Sequence, residues 1–237
     1  MAIGRSSLIA GVAGLVIGGA AVALASGGGM PGSDRAHVER IVKSYLLENP
    51  QIIPEAMEVL RSRESAAVVK ANRSALETPF AGAWAGAEDA DVVLVEFFDY
   101  ACGFCRKSNS DVDRLIAEDK KLKVVWRELP VLGPDSQAAA EASLAAARQG
   151  RFRQFHEQLF AAGRPAPEAV AQVQRQLGVG SLAGSAEARS ELDKNFQLAR
   201  AINASGTPTF VVGDKVLQGA VGYEALRAAI ADARKGA

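Results

Sequence analysis

The chain has 237 residues, 49% of them hydrophobic and 23% charged, which is enough for one sizeable domain and an additional element. Its 27 basic and 27 acidic residues cancel, removing the usual electrostatic reason to expect nucleic acid or an acidic surface as partner. With two cysteines only, a small scaffold stapled by several disulfides is excluded as well.

Arg5 precedes an uncharged stretch from Ser6 to Met30, rich in Leu8, Ile9, Val12, Leu15, Val16, Ile17, Val22 and Leu24, so residues 1–25 are expected to be an export signal. Ala23-Leu24-Ala25 before Ser26 has the small-x-small form of a cleavage site. The same run has the length at which a single membrane anchor also becomes feasible, although Gly11, Gly14, Gly18 and Gly19 weaken it as a span. Cleavage is the favoured reading, and either outcome puts the rest of the chain outside the cytoplasm, where a dithiol can be oxidised. Residues 26–33 read as a flexible spacer.

Residues 34–76 read as a separate helical segment. Val38, Ile41, Val42, Tyr45 and Leu46 follow the spacing of one apolar helix face, Asn49-Pro50 interrupts it, and a second helix is expected from near Pro54 through Met57, Leu60, Ala67, Val68 and Ala71. Two such faces need burial. Self-association through 34–76 is the expected solution, and packing against the chain's own catalytic domain is the alternative.

Val92 to Phe98 is β-branched and aromatic with a single charge, as expected of a buried central strand. It leads through Asp99-Tyr100-Ala101 into Cys102-Gly103-Phe104-Cys105, from which a helix is expected through Val112, Leu115 and Ile116. Leu122 to Leu129 returns as a second buried strand, and Pro130 closes it. Gly133-Pro134-Asp135-Ser136 marks a turn before the alanine-rich run Ala138 to Ala147. Helical patterns follow at 152–161, 166–177 and 186–204. Strands then return at Thr209–Val212 and Lys215–Leu217 around the turn signal Gly213-Asp214, before a closing helix from Tyr223 to about Arg234. The pattern is an α/β domain in two parts, 77–133 and 206–237, around a helical insertion at 134–205.

The chemistry concentrates in the two cysteines. At the start of a helix, unpaired N–H groups and the dipole favour negative charge, so Cys102 is expected to be exposed, ionised and reactive. Cys105, one turn on, is close enough to resolve a mixed disulfide by attacking the Cys102 sulfur. A structural zinc site is disfavoured, because there is no second cysteine pair and His37 and His156 are far apart in sequence. Met1, Met30 and Met57 form no ligand cluster to help two thiolates hold Cu(I). No metal and no cofactor is assigned, and a Cu(I)-binding periplasmic protein stands as an alternative class. His156 lies in a helical pattern and is expected at a packing or surface position.

Glu96-Phe97-Phe98-Asp99-Tyr100-x-Cys102-x-x-Cys105, with Gly206-Thr207-Pro208-Thr209-Phe210 about a hundred residues later, resembles the DsbA-like proteins of the thioredoxin superfamily. Tyr45-Leu46-Leu47-Glu48-Asn49-Pro50 and Ile53-Pro54-Glu55-Ala56-Met57 are similar to the N-terminal region of its suppressor-of-copper-sensitivity protein C branch. The resemblance implies a thioredoxin fold with an inserted helical domain and an N-terminal helical extension, together with oligomers of which trimers are known in that branch. It implies a cis Thr207–Pro208 bond whose loop faces the dithiol, a substrate chain lying across Gly103, Phe104, Thr207 and Pro208, and Glu96 as a buried acid that moves the proton of Cys105. The activity implied is thiol–disulfide exchange in the periplasm on exported proteins with cysteines, with a membrane redox partner that resets the dithiol. Gly103-Phe104 differs from the Pro-His of the oxidase that names the family and is closer to the Gly-Tyr of disulfide isomerases. That tilts the expectation to isomerase or reductase, with a disulfide oxidase as the alternative.

Overall fold

Seven residues of near-continuous apolar character, Val92–Phe98, form the middle strand of a five-stranded sheet, where both faces are covered. The computed structural model describes residues 32–236, so the expected export signal and most of the spacer lie outside the described residues. The strands are β1 (Trp84–Gly86), β2 (Val92–Phe98), β3 (Leu122–Glu128), β4 (Thr209–Val212) and β5 (Lys215–Gln218), side by side as β1-β3-β2-β4-β5. β2 and β3 are parallel, and the other neighbours are antiparallel. The short edge strand β1 was not anticipated, since three residues are too few for a period-two pattern to register.

The helices are α1 (Gly32–Glu48), α2 (Ile52–Glu77), α3 (Gly103–Glu118), α4 (Pro134–Arg148), α5 (Phe152–Ala162), α6 (Pro167–Leu177), α7 (Ala186–Ala201) and α8 (Tyr223–Lys235). α2 starts two residues before Pro54, which stands in the first turn, where its missing N–H leaves no hydrogen bond unmade. α7 stops at Ala201 rather than Ala204. Asn203 adopts a left-handed conformation (φ 54°), and the N–H groups of Asn203 and Ala204 fold back onto the carbonyls of Arg200 and Ala199 at 3.0 and 2.8 Å.

Alternation along the strands sorts two cores. Leu94, Phe98, Val124, Trp126, Phe210 and Val212 pack with α3, α8 and the helices α4 to α6. Val95, Phe97, Val125 and Val211 pack with Leu198, Ala199 and Ile202 and with Val69 and Leu76 of α2. α7, expected as part of the helical insertion, thus covers the second face of the sheet. At the β4–β5 turn Gly213 (φ 56°) is required twice, by its left-handed backbone and because a Cβ there would lie 2.9 Å from that of Ala233.

The segment 34–76 does not behave as one piece: the chain divides into a compact unit ending at Glu58 and another beginning at Val59. In the first unit Val38, Ile41, Val42 and Tyr45 of α1 and Ile53 and Met57 of α2 are exposed. In the second, Val69 and Leu76 are buried, each contributing about 1.5–3 kcal/mol. The end of α2 is held by a charged group. Arg127, only 1% exposed, donates to the carbonyls of Ala75, Leu76 (2.9 Å) and Thr78 (2.7 Å), and to Asn195 (2.8 Å) and Glu191 (3.3 Å) on α7. The guanidinium thereby satisfies carbonyls that a helix end leaves without partners. Arg127→Ala strands these acceptors and Glu191 in a buried site, and is expected to lower the unfolding free energy by about 3–5 kcal/mol. Guanidinium denaturation of the native chain and the variant measures it.

Candidate active site

β2 ends at Phe98, and four residues later Cys102 stands as the N-cap of α3 with an extended backbone (φ −78°, ψ 114°). The turn between them is set by Asp99. Its carbonyl accepts the Cys102 N–H at 3.0 Å, and its carboxylate accepts the Ala101 N–H at 2.8 Å. The Cys102 Sγ accepts the Cys105 backbone N–H at 3.3 Å, a sulfur doing what a serine or aspartate oxygen does at other helix starts.

From the strand next to β2 on the side away from β3 comes the loop before β4. Its Thr207–Pro208 bond is cis, and the Thr207 carbonyl lies 3.2 Å from the Cys102 Sγ, where it accepts from the protonated thiol. Gly206, Thr207 and Pro208 are far from the dithiol in sequence and adjacent to it in space. Cys102 is less open than expected, at 6% exposed, because this loop lies against the sulfur. Gly103 and Phe104 are exposed beside it, and Phe104 shows 67% of its surface.

The two sulfurs are driven apart electrostatically. Hydrogen bonding from the Cys105 thiol, with smaller help from the Thr207 side chain and the backbone N–H groups of Cys105 and Phe104, outweighs desolvation and brings the Cys102 pKa down from 9.0 to about 5. Burial pushes the Cys105 thiol far up, and its bond to Cys102 and the charge of Glu96 push the same way. At neutral pH the pair is a thiolate and a thiol. For Cys102, whose folded value is depressed, the reduced protein gains stability as pH rises from about 5 toward 9 and loses it as pH falls through about 5.

Glu96 lies on the α3-facing side of β2, in register with Trp126 on β3 and Phe210 on β4. It is fully buried; Trp126 Nε1–H donates to its Oε2 at 3.0 Å, and its Oε1 has no hydrogen-bond partner. Burial raises its pKa from 4.5 to about 8 against the pull of the Trp126 bond, and Asp113 and Cys102 add to the rise. A carboxyl so tuned exchanges a proton near neutral pH. Sequence reasoning missed Trp126 as its partner, because an apolar strand residue carries no sign that its indole N–H meets an acid one strand away.

His156 takes the packing position. Phe98, Tyr100, Trp126, Phe152 and Phe160 surround its ring with centroids 4.9–5.7 Å away, and burial lowers its pKa to about 3, so it is neutral. Among the described residues no group of three or more His, Cys, Asp or Glu side chains is placed to hold a metal ion.

The DSBA-like thioredoxin domain profile matches residues 93–231, and the profile of the copper resistance protein ScsC N-terminal domain matches residues 34–67. A thioredoxin-like oxidoreductase from Silicibacter pomeroyi is 35% identical, with a TM-score of 0.66 over 70% of this chain and 99% of that one. A linker-deletion mutant of Proteus mirabilis ScsC is 23% identical, with a TM-score of 0.70 over 89% of this chain and all of that one, a likeness of fold. A Na(+)/H(+) antiporter, NhaA 1 of Salinispora arenicola, is 32% identical over 171 residues, which is 64% of this chain and 24% of that protein. The chain therefore spans about a quarter of the length of that relative. Among the described residues no helix is long and apolar enough to cross a membrane.

Alkylation of the reduced protein with iodoacetamide is expected to show Cys102 reacting with a midpoint near pH 5 while Cys105 stays inert. A midpoint close to 9, followed by peptide mass analysis of the labelled cysteine, would count against the ionised sulfur.

Proposed function

The chain belongs to the DSBA-like thioredoxin domain family, and on that footing we propose that it catalyses thiol–disulfide exchange on cysteine-containing exported proteins in the periplasm. The observation that carries this reading is the Cys102 sulfur, capped by the Cys105 N–H at 3.3 Å and facing the Thr207 carbonyl at 3.2 Å. The Cys102 thiolate attacks a substrate disulfide, forms a mixed disulfide and releases one substrate sulfur as thiolate. Cys105 then gives up its proton and attacks the Cys102 sulfur, which expels the second substrate sulfur and leaves Cys102–Cys105 oxidised. Glu96, in the ionised fraction that a pKa of about 8 leaves near neutral pH, is the acceptor for that proton, being buried and close enough to repel a Cys105 thiolate. Gly103, Phe104, Thr207 and Pro208 line the groove in which the substrate chain lies, and a membrane partner resets the dithiol.

Isomerisation or reduction is the favoured direction. Phe104 offers the Cys102 sulfur neither charge nor side-chain hydrogen bond, and its exposed ring is suited to holding a substrate chain. The apolar stripe Val38, Ile41, Val42 and Tyr45, open to solvent on α1, supports self-association of the N-terminal unit, which brings several dithiols to one misfolded substrate. Oxidation is the second reading. It is favoured by the Cys102 pKa of about 5, since a stabilised thiolate stabilises the reduced enzyme and makes the disulfide more oxidising.

Reactivation of scrambled ribonuclease in a glutathione buffer separates the two. The native protein is expected to restore activity, Cys102→Ala to abolish it, and Cys105→Ala to accumulate mixed disulfides on non-reducing gels. Glu96→Gln is expected to slow resolution by roughly 10- to 100-fold. A native protein that oxidises a reduced peptide yet leaves scrambled ribonuclease inactive would assign it to the oxidases. Light scattering is expected to give the mature chain a multiple of its monomer mass and a chain beginning at Val59 the monomer mass; equal monomer masses would remove self-association.

A further inference from the structure

Arg153 enters from the inserted helical layer and stops at the same indole that serves Glu96. It is the second residue of α5, and its guanidinium carbon stands over the Trp126 ring, 5.2 Å from the centroid, while the Nε1–H of that ring donates to the Glu96 Oε2 at 3.0 Å. Its Nη2 and Nε pair with Asp113 of α3 and Glu157 of α5. Its Nη1 is buried and has no hydrogen-bond partner. A buried donor left in that state is costly, and the electron-rich face of Trp126 offsets the loss.

The charge of Arg153 is felt inside the layer. His156, whose ring centroid lies 5.2 Å from that of Trp126, is held neutral mainly by burial, and Arg153 adds to the effect. Asp113 acts on Glu96 with the opposite sign, its negative charge adding to the rise of the carboxyl's pKa. The titratable and charged groups around Glu96 are thus Cys102, Cys105 and Asp113 from α3, with His156 and Arg153 of α5 against Trp126. β4 and the buried apolar face of α8 add no charge. Arg153 is the one cation of this set among the described residues.

We propose that Arg153 is the counter-cation of Glu96, keeping the carboxyl able to take the Cys105 proton by polarising the Trp126 N–H from the ring face and by neutralising Asp113. The two routes act in one direction. A cation over the ring makes the indole N–H a stronger donor to a carboxylate, and a paired Asp113 repels that carboxylate less. The proposal rests on the exchange reading above and adds the control of its proton step. Arg153 touches neither sulfur nor substrate and is a positioning residue.

Two variants of opposite sign test it. In Arg153→Met the cation is gone and the acid form of Glu96 gains; in Asp113→Asn the repelling charge is gone and the carboxylate gains. Infrared titration of the reduced protein reads the carboxyl directly, through the protonated C=O stretch that Glu96→Gln removes. Its midpoint is expected near pH 8 in the native chain, roughly one pH unit higher in Arg153→Met, lower in Asp113→Asn, and restored toward the native value in Arg153→Lys. Decay of the mixed disulfide formed with a disulfide-linked peptide dimer, followed by acid quench, is expected to slow roughly tenfold at pH 7 in Arg153→Met, since each unit of pKa above the working pH lowers the carboxylate fraction about tenfold. Midpoints that coincide in the native, methionine and asparagine proteins overturn the counter-cation. Asp113 is half-exposed, so its variant gives a reading whether or not the methionine variant folds. Shifted midpoints in a protein that forms no mixed disulfide overturn the exchange reading and leave the counter-cation standing.

Discussion

The hydrogen bonds that Cys105 directs at the Cys102 sulfur are the interaction on which the site depends. They exist because α3 begins at that residue, so that a backbone N–H one turn on points back at the cap. α3 begins there because β2 ends at Phe98 and Asp99 folds the chain through a short turn into it. The sheet's contribution is rigidity. With both faces of β2 buried, the end of the strand cannot shift without disturbing two cores, and the sulfur inherits that fixity.

The same turn of helix makes one sulfur acidic and the other strongly basic. Cys102 gains donors, while Cys105 has apolar surroundings and a buried acid on its sheet side. The asymmetry assigns the order of events. A symmetric dithiol would have no preferred attacking atom, whereas here the ionised sulfur faces the Thr207 carbonyl and the protonated one lies behind it. Glu96 belongs to this arrangement through burial more than through its neighbours. One indole N–H at 3.0 Å is too little solvation to keep a carboxylate at its ordinary pKa.

Much of this was legible in the chain itself. The strand Val92–Phe98, the Cys102–Cys105 spacing and the later Gly-Thr-Pro segment are local patterns whose meaning survives without coordinates, and the helical runs at 152–161 and 166–177 fell where periodicity put them. Less legible were contacts made by single atoms across long sequence separations. Trp126 reads as a core residue and serves as the donor to Glu96; Asp99 reads as a turn residue and gathers N–H groups from two loops. The place of α7 was hidden for a related reason. Its apolar positions show that one face is covered, but periodicity does not say by what: Leu198 and Ala199 meet the sheet, while Ala188 and Leu192 meet Ala140 and Leu144 of α4. The division of α2 between two units is invisible in its pattern, because the burial of Val69 and Leu76 comes from sheet and α7 residues distant in sequence.

The aromatic cage around His156 has a further consequence. An imidazole is the side chain that ordinarily takes up and releases protons near neutral pH, and a caged one kept neutral down to about pH 3 adds no such buffering to the helical layer. Proton counting during turnover is correspondingly cleaner. Hydrogen ions exchanged with the medium as the cysteines cycle carry no background from this ring, so a calorimeter read in buffers of different ionisation enthalpy would register the sulfur and the acid beneath it.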